Sequence, residues 1–392
     1  VPSERRSFEP WLAALLAVGA AVLMTWPLAL DAGHHVLRAA YYWDAYANTM
    51  LMASRVDALT GAGPLGAYDS YYFAPLHHSI VFNENHFGLS LVFAPFYLLS
   101  GEPLWAYNLT LLTSLSLSVF FTYLLVRRLT GSGPAGMLAG VAFAFCPYVC
   151  FEIGRIQLVA TQWIPACFLL LHRAVEEQKK RDLALLCACY LLQIGTCLYY
   201  AMFLLPLLAS AAVALTLAGR PPGRFFVGVA VCGVVAGAIA LGMVAPYFSE
   251  REHFALDRSV AFASGYDGRL SFFGNVPVTN LTLTGMRHGL QPLAREEVAF
   301  PGFTALALAA LAAGRALWLR LQGPARARKL LGLGLALGVL TASALAAALS
   351  HSLLVGALLT LAAGAAALWR TRAGGPSEGG PSEGGPPRGR EL

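Results

Sequence analysis

Long apolar runs alternate with short segments that carry arginine or lysine, and this alternation is the dominant pattern of the chain. Runs at 11–30, 105–126, 133–149, 157–174, 182–198, 199–218, 225–247, 298–314, 330–349 and 351–369 are long enough to cross, or nearly cross, a bilayer as helices. Lipid offers the backbone no hydrogen-bond partner, so such runs predict helices rather than irregular chain. The run at 87–99 is short and contains Pro95, which predicts an interfacial or re-entrant helix. The stretch 182–218 admits two readings: two spans with a tight break near Gly195 to Tyr200, or one long helix that would invert everything after it. The pattern therefore predicts an all-α integral membrane protein of about ten transmembrane helices.

Composition agrees. The chain is 57% hydrophobic and 12% charged, with a mean hydropathy of +0.61, too apolar for a soluble domain of 392 residues. Placing Arg5 and Arg6 in the cytoplasm puts every later basic cluster there too: Arg127–Arg128, Lys179–Arg181, Arg220 and Arg224, Arg315 to Lys329, and Arg370 with Arg372. That register holds only if 87–99 does not cross. It leaves two large outer loops, 31–104 and 248–297, within a polytopic domain of residues 1–372, and both chain ends inside. Residues 11–30 are too long, and lack the small-residue cleavage pattern, for a removed signal peptide, so they read as a retained span. The Gly/Pro/Ser/Glu tail, 373–392, cannot bury a core and reads as disordered. The net charge of +6 sits at span ends, which indicates orientation and not nucleic-acid binding. Seven cysteines fall in or beside apolar runs and read as small buried hydrophobes.

Chemistry concentrates in the outer loops. Asp44 lies among Tyr41, Tyr42, Trp43 and Tyr46 just after the first span. If 43–59 is helical, Asp44 and Asn48 share one face. A carboxylate at such a semi-apolar boundary suits a general base, and the plainer alternative is a helix N-cap. A second acid motif, Phe82-Asn83-Glu84-Asn85-His86-Phe87-Gly88, leads into the run at 89–99 and sets Glu84 and His86 near the membrane surface. A metal site from Asp44, Glu84 and His86 is conceivable, although nothing in their spacing fixes it, and Mg or Mn is the ion it would suit. In the second loop Arg251, Arg258 and Arg269 are candidates for gripping a phosphate headgroup, against the alternative of ordinary solvated charges. Glu152, Arg155, Gln157 and Gln162 stand close to the hydrocarbon between two spans. They are either functional or, for Glu152 and Arg155, a pair that closes a helix hairpin.

Several of these segments carry a resemblance. Trp43-Asp44-Ala45-Tyr46-Ala47-Asn48, the Phe82–Gly88 motif, Ala106-Tyr107-Asn108-Leu109, Tyr123–Leu129, Ala142–Tyr148, Gln162-Trp163-Ile164-Pro165 and Phe300-Pro301-Gly302-Phe303 together cover roughly residues 10–310. In them the chain resembles the GT-C superfamily of polytopic membrane glycosyltransferases, the group that includes protein O-mannosyltransferases and lipid A aminoarabinose transferases. It is most similar to a bacterial set within that group. The set commonly shows Gly-Asp-Pro where this chain has Trp43-Asp44-Ala45.

The resemblance implies a large first outer loop with juxtamembrane helices, in a bacterial inner membrane. It also implies a polyprenyl-phosphate-sugar donor and transfer with inversion to a protein, lipid or glycan at the outer face. Asp44 would then be the base or acceptor-orienting acid, and Glu84 a second acid of the catalytic site that helps hold the acceptor or donor. Asn48, His86, Tyr46, Arg155, Gln162, Arg251, Arg258 and Arg269 would be substrate-binding. The competing expectations are a transporter or flippase of lipid-linked sugars, and an inactive relative that binds polyprenyl lipid.

Overall fold

The computed structural model describes residues 3–37, 41–219 and 223–253, with two further helical residues at 311 and 314. The expected spans from 298 onward, the expected loop 248–297 apart from residues 248–253, which are helical, and the tail otherwise lie outside the described residues. Every element named below belongs to one compact unit, Val1–Phe303.

The described residues form helices and connecting turns, with no strand among them. The order is α1 (Ser3–Met24), α2 (Tyr42–Thr60), α3 (Phe87–Ser100), α4 (Pro103–Thr130), α5 (Gly133–Ala144), α6 (Pro147–Phe151), α7 (Ile156–Val159), α8 (Trp163–Glu177), α9 (Lys180–Thr196), α10 (Leu198–Gly219) and α11 (Gly223–His253). Among the described residues five segments are long and apolar enough to cross a membrane: Pro103–Thr130, Gly133–Phe151, Ile156–Glu177, Leu198–Thr216 and Phe225–Glu250. The chain is thus a helical membrane protein, with five candidate spans in the described residues where the sequence pattern alone suggests about ten over the whole chain. Part of that difference lies inside the described region. The run expected at 182–198 is a helix of only 17 residues, α9, and is not one of the five.

The long central helix, α4, has 28 residues, about 42 Å at the usual rise. It packs against α1, α3, α5 and α8. Its fit to α5 depends on glycine. Added Cβ atoms at Gly136 and Gly140 would lie 2.7 Å from the Tyr123 carbonyl oxygen and 2.5 Å from that of Val119. The four-residue spacing puts both glycines on one face and lets the backbones touch, a common device between membrane helices. α4 ends on Gly131 in left-handed conformation, φ 74°, and α5 begins on Ser132, whose hydroxyl accepts from the Ala135 amide at 3.3 Å.

Two of the expected spans are broken. Cys146-Pro147 separates α5 from α6, because proline disfavours helical backbone in the residue before it and supplies no amide donor. Residues 160–162 separate α7 from α8. Between these breaks the chain runs in two very short helices and turns, and this irregular stretch carries Glu152, Arg155 and Gln157. The 182–218 stretch is two helices, α9 and α10, meeting at Cys197, so the break falls where expected and the single long helix does not hold; of the two, only α10 is long and apolar enough to cross a membrane, so two full spans are not shown. The 87–99 run forms α3, a 14-residue helix with Pro95 inside, shorter than a full span.

Three apolar clusters hold the unit together, the smallest joining α1, α4 and α5 through Ala17, Val119 and Ala144; the other two are larger. One joins α2, α3, α4 and the α6–α7 stretch through residues such as Met52, Phe93, Tyr107, Leu111 and Ile156. The other joins α8 to α11 through Cys167, Leu171, Leu204 and Phe225. All seven cysteines are free thiols, buried or partly buried. The loop between α1 and α3 is tied down at its start by Asn108 of α4, whose amide nitrogen donates to the Ala32 and His35 carbonyls at 2.7 Å each. Farther along it is braced by α11: the Tyr247 hydroxyl donates to the Asn83 carbonyl at 2.7 Å, and that of Tyr68 to the Gly242 carbonyl at 3.1 Å.

Candidate functional site

The first loop folds against the irregular α6–α7 stretch, and the site lies where they meet. α2 opens on Tyr41, which occupies the N-cap position with left-handed backbone, φ 62°, and makes no side-chain cap there. Asp44 therefore is not the cap. It sits in the first turn, where the exposed amide ends of the helix favour a negative charge.

Its Oδ2 accepts from Arg155 Nε at 2.8 Å. The same guanidinium reaches Glu152 Oε2 from Nη1 at 3.4 Å and lies 3.5 Å from the centroid of the Tyr41 ring. Arg155 is thus clamped by two carboxylates and one aromatic face. Asp44 remains 46% exposed and Glu152 only 4%, so Asp44 is the member of the pair that a ligand can reach. Among the described residues Asp44 Oδ1 has no hydrogen-bond partner. Trp43 and Tyr46, the residues flanking this turn, expose their rings 6.4 Å apart.

A second set of contacts runs one turn deeper. Asn48 is buried, and its amide group meets Gln157 Oε1 at 2.9 Å and His86 Nε2 at 3.0 Å. His86 also faces the Glu84 carbonyl oxygen through Nδ1 at 2.7 Å. A carbonyl can only accept, so Nδ1 carries the proton. Burial first, and then the charge of Arg55, hold the imidazole down to about 4, while the Glu84 carbonyl works in the other direction. The ring is therefore neutral near pH 7 and Nε2 must accept. As placed, Asn48 Nδ2 donates to Gln157 Oε1 and Oδ1 faces Nε2; an accepting Nε2 requires both amides to be turned, so that Asn48 Nδ2 donates to His86 and Gln157 Nε2 donates to Asn48 Oδ1. His86, like Tyr41, has left-handed backbone, φ 56°, so both residues that flank the two acid motifs are in a conformation rare for bulky side chains.

Glu84 points elsewhere. Its Oε2 accepts from the Leu198 amide at 2.9 Å, and Cys197 Sγ lies 3.7 Å from Oε1. The carboxylate caps the N-terminus of α10, the place where the chain turns between α9 and α10. Burial raises its proton affinity, and the Leu198 and Tyr199 amides and the Cys197 thiol oppose that. Among the described residues no hydrogen bond or ion pair joins Glu84 to Asp44.

The metal set conceived from Asp44, Glu84 and His86 is not assembled. The two acids are engaged with Arg155 and with α10, and both imidazole nitrogens are committed. Among the described residues no group of three His, Cys, Asp or Glu side chains is placed to hold a metal ion. These residues do not fit a divalent cation, and no chemical step is routed through one below.

The remaining sequence candidates divide. Gln162 is fully buried and directs its Nε2 toward Ser114 Oγ of α4 at 3.5 Å, away from the Asp44 cluster. Arg251 is on the last turn of α11, and its side chain lies outside the described set, as do Arg258 and Arg269 entirely. Gln157, singled out in the sequence beside Glu152 and Arg155, pairs with Asn48 across 109 residues. One participant is less visible in the sequence. Tyr200, on α10, donates to the Leu158 carbonyl at 2.9 Å and reaches the Tyr148 hydroxyl at 3.3 Å, tying α10 to the stretch that carries Arg155. An aromatic two residues into an apolar helix gives no signal of such a role.

A family model described as a domain of unknown function, DUF6311, matches residues 55–373. No curated protein and no solved structure matches the chain.

Proposed function

Because the chain belongs to the DUF6311 family, a domain of unknown function, we propose an activity from the site itself: transfer of a sugar from a polyprenyl-phosphate donor to a hydroxyl-bearing acceptor. The protein is a membrane glycosyltransferase of the GT-C kind, working at the outer face of a bacterial inner membrane with both chain ends inside.

The observation that carries the reading is Asp44, a half-exposed carboxylate with one oxygen fixed by Arg155 and the other open, beside the exposed rings of Trp43 and Tyr46. An exposed ion pair of this kind adds at most about 1 kcal/mol of stability. Its value is geometric: it aims the second oxygen. Aromatic rings beside an open carboxylate suit a pyranose, whose C–H face stacks while its hydroxyls hydrogen-bond.

In the proposed reaction the acceptor hydroxyl donates to Asp44 Oδ1. As its oxygen bonds to the anomeric carbon, the bond from that carbon to the phosphate oxygen breaks with inversion. The hydroxyl proton passes to Asp44, and the polyprenyl phosphate leaves with the electron pair. Arg155 holds Asp44 on the attacking side, and the phosphate departs on the opposite face of the anomeric carbon. Glu84 and the Asn48–His86–Gln157 set serve as positioning groups that hold the loop, α10 and the Arg155 stretch in register.

The test is release of polyprenyl phosphate by membranes containing the full chain, supplied with a panel of polyprenyl-phosphate hexoses and pentoses and a mixed glycan acceptor. The reading expects release from at least one donor above membranes lacking the protein. Release from none of the panel contradicts it.

A further inference from the structure

Arg55 sits on the same face of α2 as Asp44 and Asn48, three turns below Asp44, and it is the most unusual buried residue in the described region. It is fully buried, and Nε, Nη1 and Nη2 all lack a hydrogen-bond partner among the described residues. Its neighbours are rings. The guanidinium carbon lies 4.6 Å from the Phe87 centroid and 5.6 Å from that of Tyr68. The acid acting on it electrostatically, Asp69, is occupied by the amides of Gly66 at 2.8 Å and His78 at 2.7 Å. Burial lowers the guanidinium to about 10, so it keeps its charge at neutral pH. Two aromatic faces offset part of the desolvation of a cation but satisfy none of its five N–H donors. A buried charge left in this condition costs several kcal/mol, and the missing partner is an anion.

The same two rings form one wall of a cavity of about 560 Å³ between α3, α9 and α11. The rest of the lining is hydrocarbon, from Leu91, Leu191, Ile239 and Met243 among others. Ile239 is 47% exposed on the outer side of α11, in one of the candidate spans, so the cavity borders the region that lipid would occupy. Gly88 and Gly195 set its depth: α3 and α9 approach so closely that an added Cβ at Gly88 would lie 2.3 Å from the Leu192 carbonyl oxygen. Tyr68 is the part of the wall that no helix carries. It comes from the loop between α2 and α3, is only partly buried, and is held to α11 by its hydroxyl contact with Gly242. Arg55 does not line the cavity as it stands, so a headgroup there reaches the guanidinium only if the Tyr68 ring turns aside.

We propose that Arg55 and the groove between α3, α9 and α11 form a binding site for an anionic membrane lipid, the guanidinium taking the phosphate or carboxylate head and the groove the first part of the chain. Charge and polarity choose the occupant. A free anion would satisfy Arg55 and leave the groove empty, and a neutral chain would fill the groove and leave Arg55 bare. The site does not rest on the transfer reading, and its test reads binding without turnover, so either can fail alone.

The test is thermal unfolding of the purified full chain in an uncharged detergent, titrated in parallel with dodecyl phosphate, dodecanol and inorganic phosphate. Dodecyl phosphate is expected to raise the wild-type midpoint more than either of the other two. In Arg55→Met, which keeps the bulk and removes the charge, the half-saturating concentration should rise tenfold or more, as loss of a charge-assisted contact implies (roughly 1.5–3 kcal/mol). An undiminished response in Arg55→Met overturns the proposal. So does an equal response to inorganic phosphate, which indicates a free-anion site, or to dodecanol, which indicates an apolar pocket alone. Leu191→Trp fills the groove and leaves the guanidinium in place, and it decides the question if Arg55→Met does not fold: loss of the response supports the site and an unchanged response overturns it.

Discussion

At the scale of single residues, the site is governed by which polar groups are satisfied and by whom. Asp44 and Asn48 could be placed on one helix face from their spacing, and they are. Their partners could not be read that way, because Arg155 and Gln157 lie more than a hundred residues away and only the fold brings them in. Glu84 resembles Asp44 in the sequence, an acid in an aromatic, amide-rich motif. Its role differs because the chain happens to start α10 beside it. Arg55 carried a visible cue, its seven-residue offset from Asn48, but an arginine after a serine in a mixed helix reads as solvated until its burial is known. His86 yields a pH prediction. Its folded pKa is depressed from 6.5 to about 4, so the unfolded chain binds more protons between those values. The stability it permits is complete above 6.5 and is lost as pH falls toward 4, on the order of 3 kcal/mol in all. Glu84, shifted upward, contributes the opposite slope from its ordinary value of 4.5 upward. His86→Asn, which tolerates the left-handed backbone, is therefore expected to narrow the difference in unfolding midpoint between pH 7.5 and pH 5. An unchanged difference would show that His86 is not held neutral by burial.

At the scale of elements, glycine contacts and proline breaks shape the molecule more than the apolar pattern does. Apolar runs located the helices well, yet they gave no warning that the runs near Cys146 and Ala160 are interrupted. Proline after Cys146 was the available signal for the first. For the second the reason is tertiary, since Thr161 and Gln162 turn toward Ser118 and Ser114 of α4. The close approach of α3 and α9 at Gly88 and Gly195 is equally hidden in sequence, where both look like ordinary membrane-helix glycines. Gly88→Ala forces a methyl group against the α9 backbone and should cost about 1–3 kcal/mol. A lower unfolding midpoint than wild type, with a weaker response to dodecyl phosphate, is the expected result. A midpoint equal to wild type would mean that α3 and α9 are farther apart than described.

At the scale of the whole molecule, composition and arginine placement sufficed for the class, a helical membrane protein, and the described residues supply five candidate spans. Orientation is a separate expectation. With the Arg127–Arg128 end of α4 inside and the α2 start outside, a membrane-impermeant thiol reagent added to intact cells should label Trp43→Cys and spare Arg127→Cys, in a background freed of accessible native thiols. The reverse pattern would invert the topology and move the site to the other face. The central claim is that Asp44, aimed by Arg155, does the chemistry. The measurement that meets it most directly is donor-dependent release of polyprenyl phosphate by Asp44→Asn, beside wild type in the same membranes and with matched unfolding midpoints. The account predicts a loss of at least about a hundredfold, the scale of a missing general base; release at the wild-type rate would contradict it.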